Sequence, residues 1–308
     1  MNFIVLGDLI LDRFIYGDIT RISPEAPVPV LDVREVINSC GGAFNVHAHI
    51  ENLGHSSTFV SVVGKDFEKL QDVFFGDQLK DNIKLIIQRD RKTSLKTRII
   101  ALYNHNHQIR FDEEDSSDIS NESEAEVLAT VANLLSPETY MILNDYNKGV
   151  LTASLAKKVI NLAHANGAKV FVDSKRDDVQ RFNSVFLLKP NKHEFNMIKL
   201  RYNLSSDFAT ECKELVKLLN LEYLVVTLGD NGIFCCNSAL ECFSVPSIKT
   251  TVKELSGAGD SVLAAIAVAL ATGSDIAESV SIANHIAAKF ISIGPQYRAD
   301  INDFKYNK

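Results

Sequence analysis

Short runs of apolar residues rich in Val, Ile, Leu and Phe alternate along the chain with longer stretches whose apolar positions recur every three or four residues. The short runs predict strands at 3–6, 58–63, 140–143, 169–172, 185–188 and 223–227, because a continuous apolar run suits a strand buried on both faces. The longer stretches predict amphipathic helices near 42–53, 124–135, 154–165 and 206–219. Strand and helix in turn spell βαβ units, so the expected fold is α/β: a doubly wound, mostly parallel sheet flanked by helices, with ligands at the carboxyl ends of its strands. After Asp230 the texture changes to short strands joined by Asn231-Gly232 and Pro246, then to two helices rich in small residues near 258–271 and 275–291.

Two stretches break this rhythm. Residues 13–37 carry Pro24, Pro27 and Pro29, and residues 89–112 alternate polar and apolar positions through SLKTRIIALYNHNHQIRFD. Proline is tolerated at strand edges and poorly in central strands, so both read as a small edge sheet outside the main one, together forming a lid. No repeat or low-complexity tract divides the chain, so residues 1–308 are expected to form one domain, with the acidic run 112–118 as a solvated loop.

Composition narrows the function. The 308 residues are 46% apolar and 23% charged with a net charge of −7, a balance that disfavours broad phosphate neutralisation on a nucleic acid. No apolar stretch reaches bilayer length, and the opening MNFIVLGDLILDR lacks a basic start and carries Asp8 and Asp12, unlike a secretory leader. The expected location is the cytoplasm. The five cysteines show no CxxC spacing and are expected to be reduced thiols, with Cys235 and Cys236 packing or facing solvent. An acidic protein that binds anions must concentrate its positive charge locally, near glycine-rich turns.

The segment ELSGAGDSV, residues 254–262, provides such a turn. Gly257 and Gly259 permit a tight bend whose N–H groups open the following helix, a position that attracts phosphate oxygens. Asp260 in the first turn can accept a proton from an attacking hydroxyl. Taken alone, the same residues also suit a plain helix cap with an acid near the positive end of the dipole.

Other segments agree with the first. GDLILDR (7–13), GGAFN (41–45), LLKPNKHEF (187–195), LVVTLGDNG (224–232) and SGAGDS (256–261) follow the order and spacing of the PfkB carbohydrate kinases, a resemblance that covers essentially the whole chain. RISPEAPVPV (21–30), HQIRFD (107–112) and NDYNKG (144–149) resemble, within that family, the kinases of D-glycero-β-D-manno-heptose 7-phosphate. The resemblance implies a ribokinase-like fold with a small β-sheet lid, ATP and Mg2+ as co-substrate and cofactor, and phosphorylation of the heptose at O1. It implies Asp260 as catalytic base, with Ser256, Gly257, Ala258 and Gly259 as the anion hole. It places Asp12, Gly41, Gly42 and Asn45 on the sugar hydroxyls, Asn191 and Glu194 on the waters of Mg2+, Thr227, Gly229 and Gly232 on the nucleotide, and Asn284 towards the adenine. Lids of this type also resemble dimer-forming clasps, which implies a homodimer.

A phosphorylated sugar requires cations, because a dianion buried without them loses its hydration uncompensated. The candidates are Arg21, Lys96, Arg98, Arg110, Lys148 and Lys175; Lys96 and Arg98, two apart, share one face of a strand. Any one of them alone reads more readily as a solvated surface charge, whereas as a set inside the segments that carry the resemblance they read as substrate contacts.

The chain departs from its relatives in places. Glu254 stands where they usually carry Asp beside a monovalent-cation site, leaving that cation open; Ser256 replaces Thr; no Pro separates Asp173 from Lys175; and Phe44, His47 and His49 stand where small residues are usual. His47 and His49 do not face each other on a helix, and His105 and His107 lack a third ligand, so neither pair reads as a metal site. The chain ends about 50 residues after GAGD, so no adenylyltransferase domain is expected. A PfkB kinase for another sugar, and a catalytically silent sugar- or nucleotide-binding regulator, are the alternative functions.

Overall fold

The structure, a computed structural model, describes residues 1–76, 80–104, 106–253, 257–294 and 297. The amino-terminal half supplies β1 (Asn2–Gly7), β2 (Leu9–Ile22), β3 (Pro29–Gly42), α1 (Ala43–Asn52), β4 (Ser57–Gly64), α2 (Phe67–Phe74), β5 (Ile83–Gln88), β6 (Ser94–Ala101), β7 (Asn106–Glu113) and α3 (Asn121–Leu134). There follow β8 (Thr139–Asp145), α4 (Ala153–Ala165), β9 (Lys169–Ser174), β10 (Leu187–Leu188), α5 (Lys192–Arg201), α6 (Phe208–Leu219), β11 (Tyr223–Thr227), β12 (Ile233–Asn237), β13 (Cys242–Val245), α7 (Ala258–Ala271) and α8 (Ile276–Ile293).

Among the described residues the main sheet runs β13-β12-β11-β10-β9-β8-β1-β4-β5, parallel from β11 to β5 and antiparallel at β11-β12-β13. Its central strands are buried on both faces, which is why they read as unbroken apolar runs. On β1, Phe3 and Val5 point into a core with α1 and α7, while Ile4 and Leu6 point into a second core with α3 and α4. Helix α7 is apolar around nearly its whole circumference and accordingly buried between α1 and α8. Among the described residues no helix is long and apolar enough to cross a membrane.

The stretches that broke the rhythm form the small sheet, in the order β3-β2-β6-β7. Strand β2 leaves the centre of the main sheet with Asp8 as the only residue between it and β1, and β3 returns directly into α1 through Gly42. Gly42 adopts φ +62°, and a Cβ there would lie 2.4 Å from the Asp8 carbonyl oxygen, so the root of the hairpin needs a glycine.

The structure corrects some expectations. Elements β5, α2 and α5 were not read from the pattern; of the apolar side chains on α5, Phe195 and Ile198 are buried while Met197 and Leu200 are exposed, and its start is marked by its cap. Strand β10 spans Leu187–Leu188 rather than 185–188. Cys236 and Cys242 are not reduced thiols but form a disulfide, because antiparallel pairing of β12 with β13 sets them directly opposite with Cα atoms 4.2 Å apart. That cross-strand relation has no signature in CxxC spacing. Cys40, Cys212 and Cys235 are free and buried.

Candidate active site

Helix α7 starts at Gly257, whose φ of +93° bends the chain into the helix. A helix start leaves its first N–H groups without partners in the helix, and here the turn 257–260 faces a cavity of about 1110 Å3 at the carboxyl ends of the main strands. A Cβ on Gly259 would lie 3.5 Å from the Lys189 ammonium and 3.7 Å from the Asp173 carboxylate, so the turn lies closely over a charged pair.

Asp260 is 2% exposed. Its oxygens accept hydrogen bonds from Asn45 Nδ2 (3.1 Å), Asn144 Nδ2 (3.0 Å) and the Tyr146 hydroxyl, which reaches Oδ1 at 3.0 Å and Oδ2 at 2.8 Å. Burial pushes the Asp260 carboxyl above the usual carboxylate range, and nearby Asp173 pushes the same way, while Asn144, Lys175 and Tyr146 oppose them. Burial and then the Asp260 charge hold the Tyr146 hydroxyl well above its ordinary pKa, so it stays protonated and donates.

Below the turn, Lys189 and Asp173 form an ion pair at 2.8 Å with both side chains 1% exposed. Burial would raise the Asp173 pKa, but Lys175 and Lys189 more than offset it and hold the carboxyl below its usual range. Lys175 pairs with Glu194 at 2.7 Å and lies 3.9 Å from Asp173; Asp173 and then Glu194 raise its pKa, so it remains a cation.

The cavity brings together Asn191, Thr227, Gly229, Gly232 and Asn284, expected on the nucleotide, and Lys175 with Gly257, Ala258, Gly259 and Asp260. Gly232 has φ +80° and approaches the Val245 carbonyl so closely that a Cβ would clash with it. Asn284 donates from Nδ2 to the Pro246 carbonyl at 2.9 Å, fixing the 246 segment against α8. Asn191 and Glu194 form a capping box for α5: Asn191 Oδ1 accepts from the Glu194 N–H at 2.9 Å and Glu194 Oε2 accepts from the Asn191 N–H at 2.8 Å. Ser256 and Glu254, expected at the anion hole and the monovalent-cation site, lie outside the described residues, as does His105.

The residues expected on the sugar lie at the root of the small sheet. Asp12 and Gly41 stand on β2 and β3, with Asp12 Oδ2 2.5 Å from where a Gly41 Cβ would be, so only glycine leaves that carboxylate its place. Asp12 pairs with Arg98 at 2.5 Å, and burial raises its pKa against the opposing Arg98. Lys96 pairs with Asp112 (3.0 Å) and Glu114 (3.1 Å), Lys148 with Glu114 (2.6 Å), and Arg110 with Asp112 (2.9 Å). The run 112–118 is therefore not simply a solvated loop, since Glu114 ties β6 to the NDYNKG segment. Arg21 does not join this group: it is exposed at the far end of β2, nine residues beyond Asp12, or about 30 Å along an extended strand.

Tyr146, Asn144, Lys189 and Glu114 were not singled out from the sequence, although each lies within or beside a quoted motif. The one physical signal was Lys189, a lone cation closing the apolar run 185–188 where a buried strand ends. His47 is buried against Phe44 and Phe59, and burial followed by Lys80 lowers its pKa to about 4. His49 is buried near Phe290. Among the described residues no group of His, Cys, Asp and Glu is placed to form a metal cage by itself.

With this geometry, likeness to known proteins becomes informative. The model of the pfkB family carbohydrate kinases matches residues 3–294. A protein named bifunctional protein HldE from Wolinella succinogenes is 38% identical over 291 residues, 93% of this chain and 60% of that protein. Its namesake from Aliarcobacter butzleri is 34% identical over 285 residues, 92% and 59% of the respective chains. The chain thus spans about three fifths of the length of these curated relatives. Phosphofructokinase-2 from Escherichia coli, solved with potassium, superposes with a TM-score of 0.80 at 18% identity, covering 99% of this chain and 96% of that one. Ribokinase from Arabidopsis thaliana, solved with ribose and ATP, gives 0.69 at 17% identity, covering 98% and 94%. At these identities the two structures speak for the ribokinase-like fold, and the match along nearly the whole chain speaks for the family: the chain belongs to the pfkB family of carbohydrate kinases.

Proposed function

We propose that this ATP-dependent carbohydrate kinase phosphorylates D-glycero-β-D-manno-heptose 7-phosphate at O1, giving the 1,7-bisphosphate. The observation that carries the reading is the position of Asp260, buried between Asn45 on α1, next to the root of the small sheet that carries Asp12, and the cavity under the 257–259 turn. A base so placed can take the proton of an acceptor hydroxyl while the oxygen attacks the γ-phosphorus and ADP leaves with the electron pair. The N–H groups at the start of α7, with Lys175 and Lys189, stabilise charge on the transferring group. The small sheet closes over the sugar and keeps water from Asp260.

The chemistry at the cavity mouth fits Mg2+ held through water rather than by a protein cage. Glu194 and Asn191 present oxygens already used in the cap, and Asp173 Oδ1 is buried without a hydrogen-bond partner. Mg2+ commonly binds through one or two carboxylates, retained waters and substrate phosphates. When bound it would neutralise negative charge on the nucleotide phosphates.

The heptose assignment is supported by the RISPEAPVPV, HQIRFD and NDYNKG segments and by identities of 34–38% to proteins named HldE. One observation favours a second reading, a less anionic sugar: among the described residues, Asp12, Asp112 and Glu114 offset most of the charge of Lys96, Arg98, Arg110 and Lys148. Release of ADP from ATP and Mg2+ is to be measured with heptose 7-phosphate, fructose 6-phosphate, fructose 1-phosphate, ribose and adenosine. Turnover confined to the heptose phosphate is expected. Turnover of another sugar alone would discard the heptose, and binding without turnover would leave a silent regulator.

The reading includes a homodimer through the small sheet, which exposes Val28, Val33, Ile109 and Phe111. Light scattering is expected to give twice the chain mass; the mass of a single chain would remove this part.

A further inference from the structure

The NDYNKG segment holds more of the site than its sequence announces. Asp8 accepts from the backbone N–H groups of Tyr146 (2.8 Å), Lys148 (3.2 Å) and Val150 (3.1 Å), and Asp145 accepts from that of Asn147 at 2.8 Å. Two buried carboxylates thus fix the backbone that carries Tyr146. Asn45 reaches Oδ2 of Asp260 and Asn144 reaches Oδ1, whereas the Tyr146 hydroxyl reaches both. Asn45 and Asn144, one on each oxygen, set the plane of the carboxylate, and the Tyr146 hydroxyl closes against both oxygens as a third contact that holds it in place. The Tyr146 ring also lies under Lys175, with the ammonium 5.4 Å from the ring centroid, and Lys175 pairs with the buried Glu194.

We propose that Tyr146 is a positioning residue of the transfer reaction: its hydroxyl, donating to both oxygens, holds the Asp260 carboxylate in the place that Asn45 and Asn144 orient, and its ring seats Lys175 at a fixed distance from it. This rests on the reading of Asp260 as base. The charged groups facing the pair are Asp173 and Lys175 beside β9, Lys189 after β10 and Glu194 on α5, while α1 presents the neutral Asn45.

Tyr146→Phe keeps the ring and removes the hydroxyl. With the acceptor identified by the substrate panel, kcat is expected to fall 10- to 100-fold with the sugar KM within about twofold. A donor to the ionised form lowers a carboxyl pKa, so its loss should move the acid limb of the kcat profile up by about one pH unit. Incorporation of 3,5-difluorotyrosine at position 146, a stronger donor of nearly the same shape, should move the limb down even if the Phe variant folds poorly. Wild-type kcat with an unmoved limb in both variants, beside an inactive Asp260→Asn, would overturn the role of Tyr146 and leave the base standing. Complete loss of turnover in Tyr146→Phe with unchanged thermal unfolding would also overturn it, pointing to proton transfer through the hydroxyl. An active Asp260→Asn would remove the base and this proposal together.

Discussion

Asp260→Asn should lower kcat by about three orders of magnitude, the contribution typical of a positioned general base, while leaving the sugar KM within a few-fold. The substitution preserves shape but removes the acceptor of the proton. It also puts an amide donor where Asn45, Asn144 and Tyr146 all donate, so one of these must turn away. Stability helps separate the two effects. The Asp260 pKa is raised by burial, so the folded state holds its proton more tightly than the unfolded chain does. The stability this contributes is complete below the unfolded pKa and is lost as pH rises through the folded one. Above that folded pKa the carboxylate is a destabilising group, and under the proposed function it is one kept for its reactivity, a common trade at active sites. Urea unfolding at pH 7 beside steady-state ADP release checks the case: lost turnover with near-native stability supports the base, and near-native turnover removes it.

The second large effect is on stability. Lys189→Met should destabilise the protein by about 3 kcal/mol, the lower end for breaking a buried ion pair, because Lys175 still lies near the stranded Asp173. Asp173→Asn combined with Lys189→Met should recover most of this loss, since a buried amide costs far less than a buried charge. Turnover should stay low in both, because Lys189 lies under the 257–259 turn. The sign of the pH dependence follows from Asp173. Its depressed pKa contributes stability that is present above the unfolded pKa and lost as pH falls through the folded one. Removing Lys189 lifts that pKa, so the penalty should be larger at pH 7 than at pH 5. Equal penalties at the two pH values, or a double variant no more stable than the single, would show that the ion pair is not the source.

The elements legible in the sequence were those whose burial is nearly complete. Residues 223–227 and 258–271 coincide with β11 and α7, because 224–226 is an apolar run buried on both faces of a strand and 262–269 an apolar run buried all round a helix. Helix α5 escaped because its definition lies in a capping box rather than in an apolar stripe. At the site, backbone requirements were readable: Gly42, Gly232 and Gly257 adopt positive φ in the segments expected to touch ligands. Charge pairing was not. Arg98 with Asp12, Lys148 with Glu114 and Lys189 with Asp173 join residues 16 to 86 positions apart, and such distances are set by the sheet and not by local spacing. The same holds for Cys236 and Cys242, whose opposition depends on strand register.

The root of the hairpin makes the small sheet a lever on the base. One arm begins at Asp8, whose carboxylate carries the Tyr146 loop; the other ends at Gly42, beyond which Ala43 donates its N–H to the Asp8 carbonyl and Asn45 reaches Asp260. Asp8 is the fulcrum of both. Under the proposed function, a tilt of the small sheet towards the cavity would change the angle at which Tyr146 and Asn45 grip Asp260, so covering the sugar and aiming the base would be one motion rather than two.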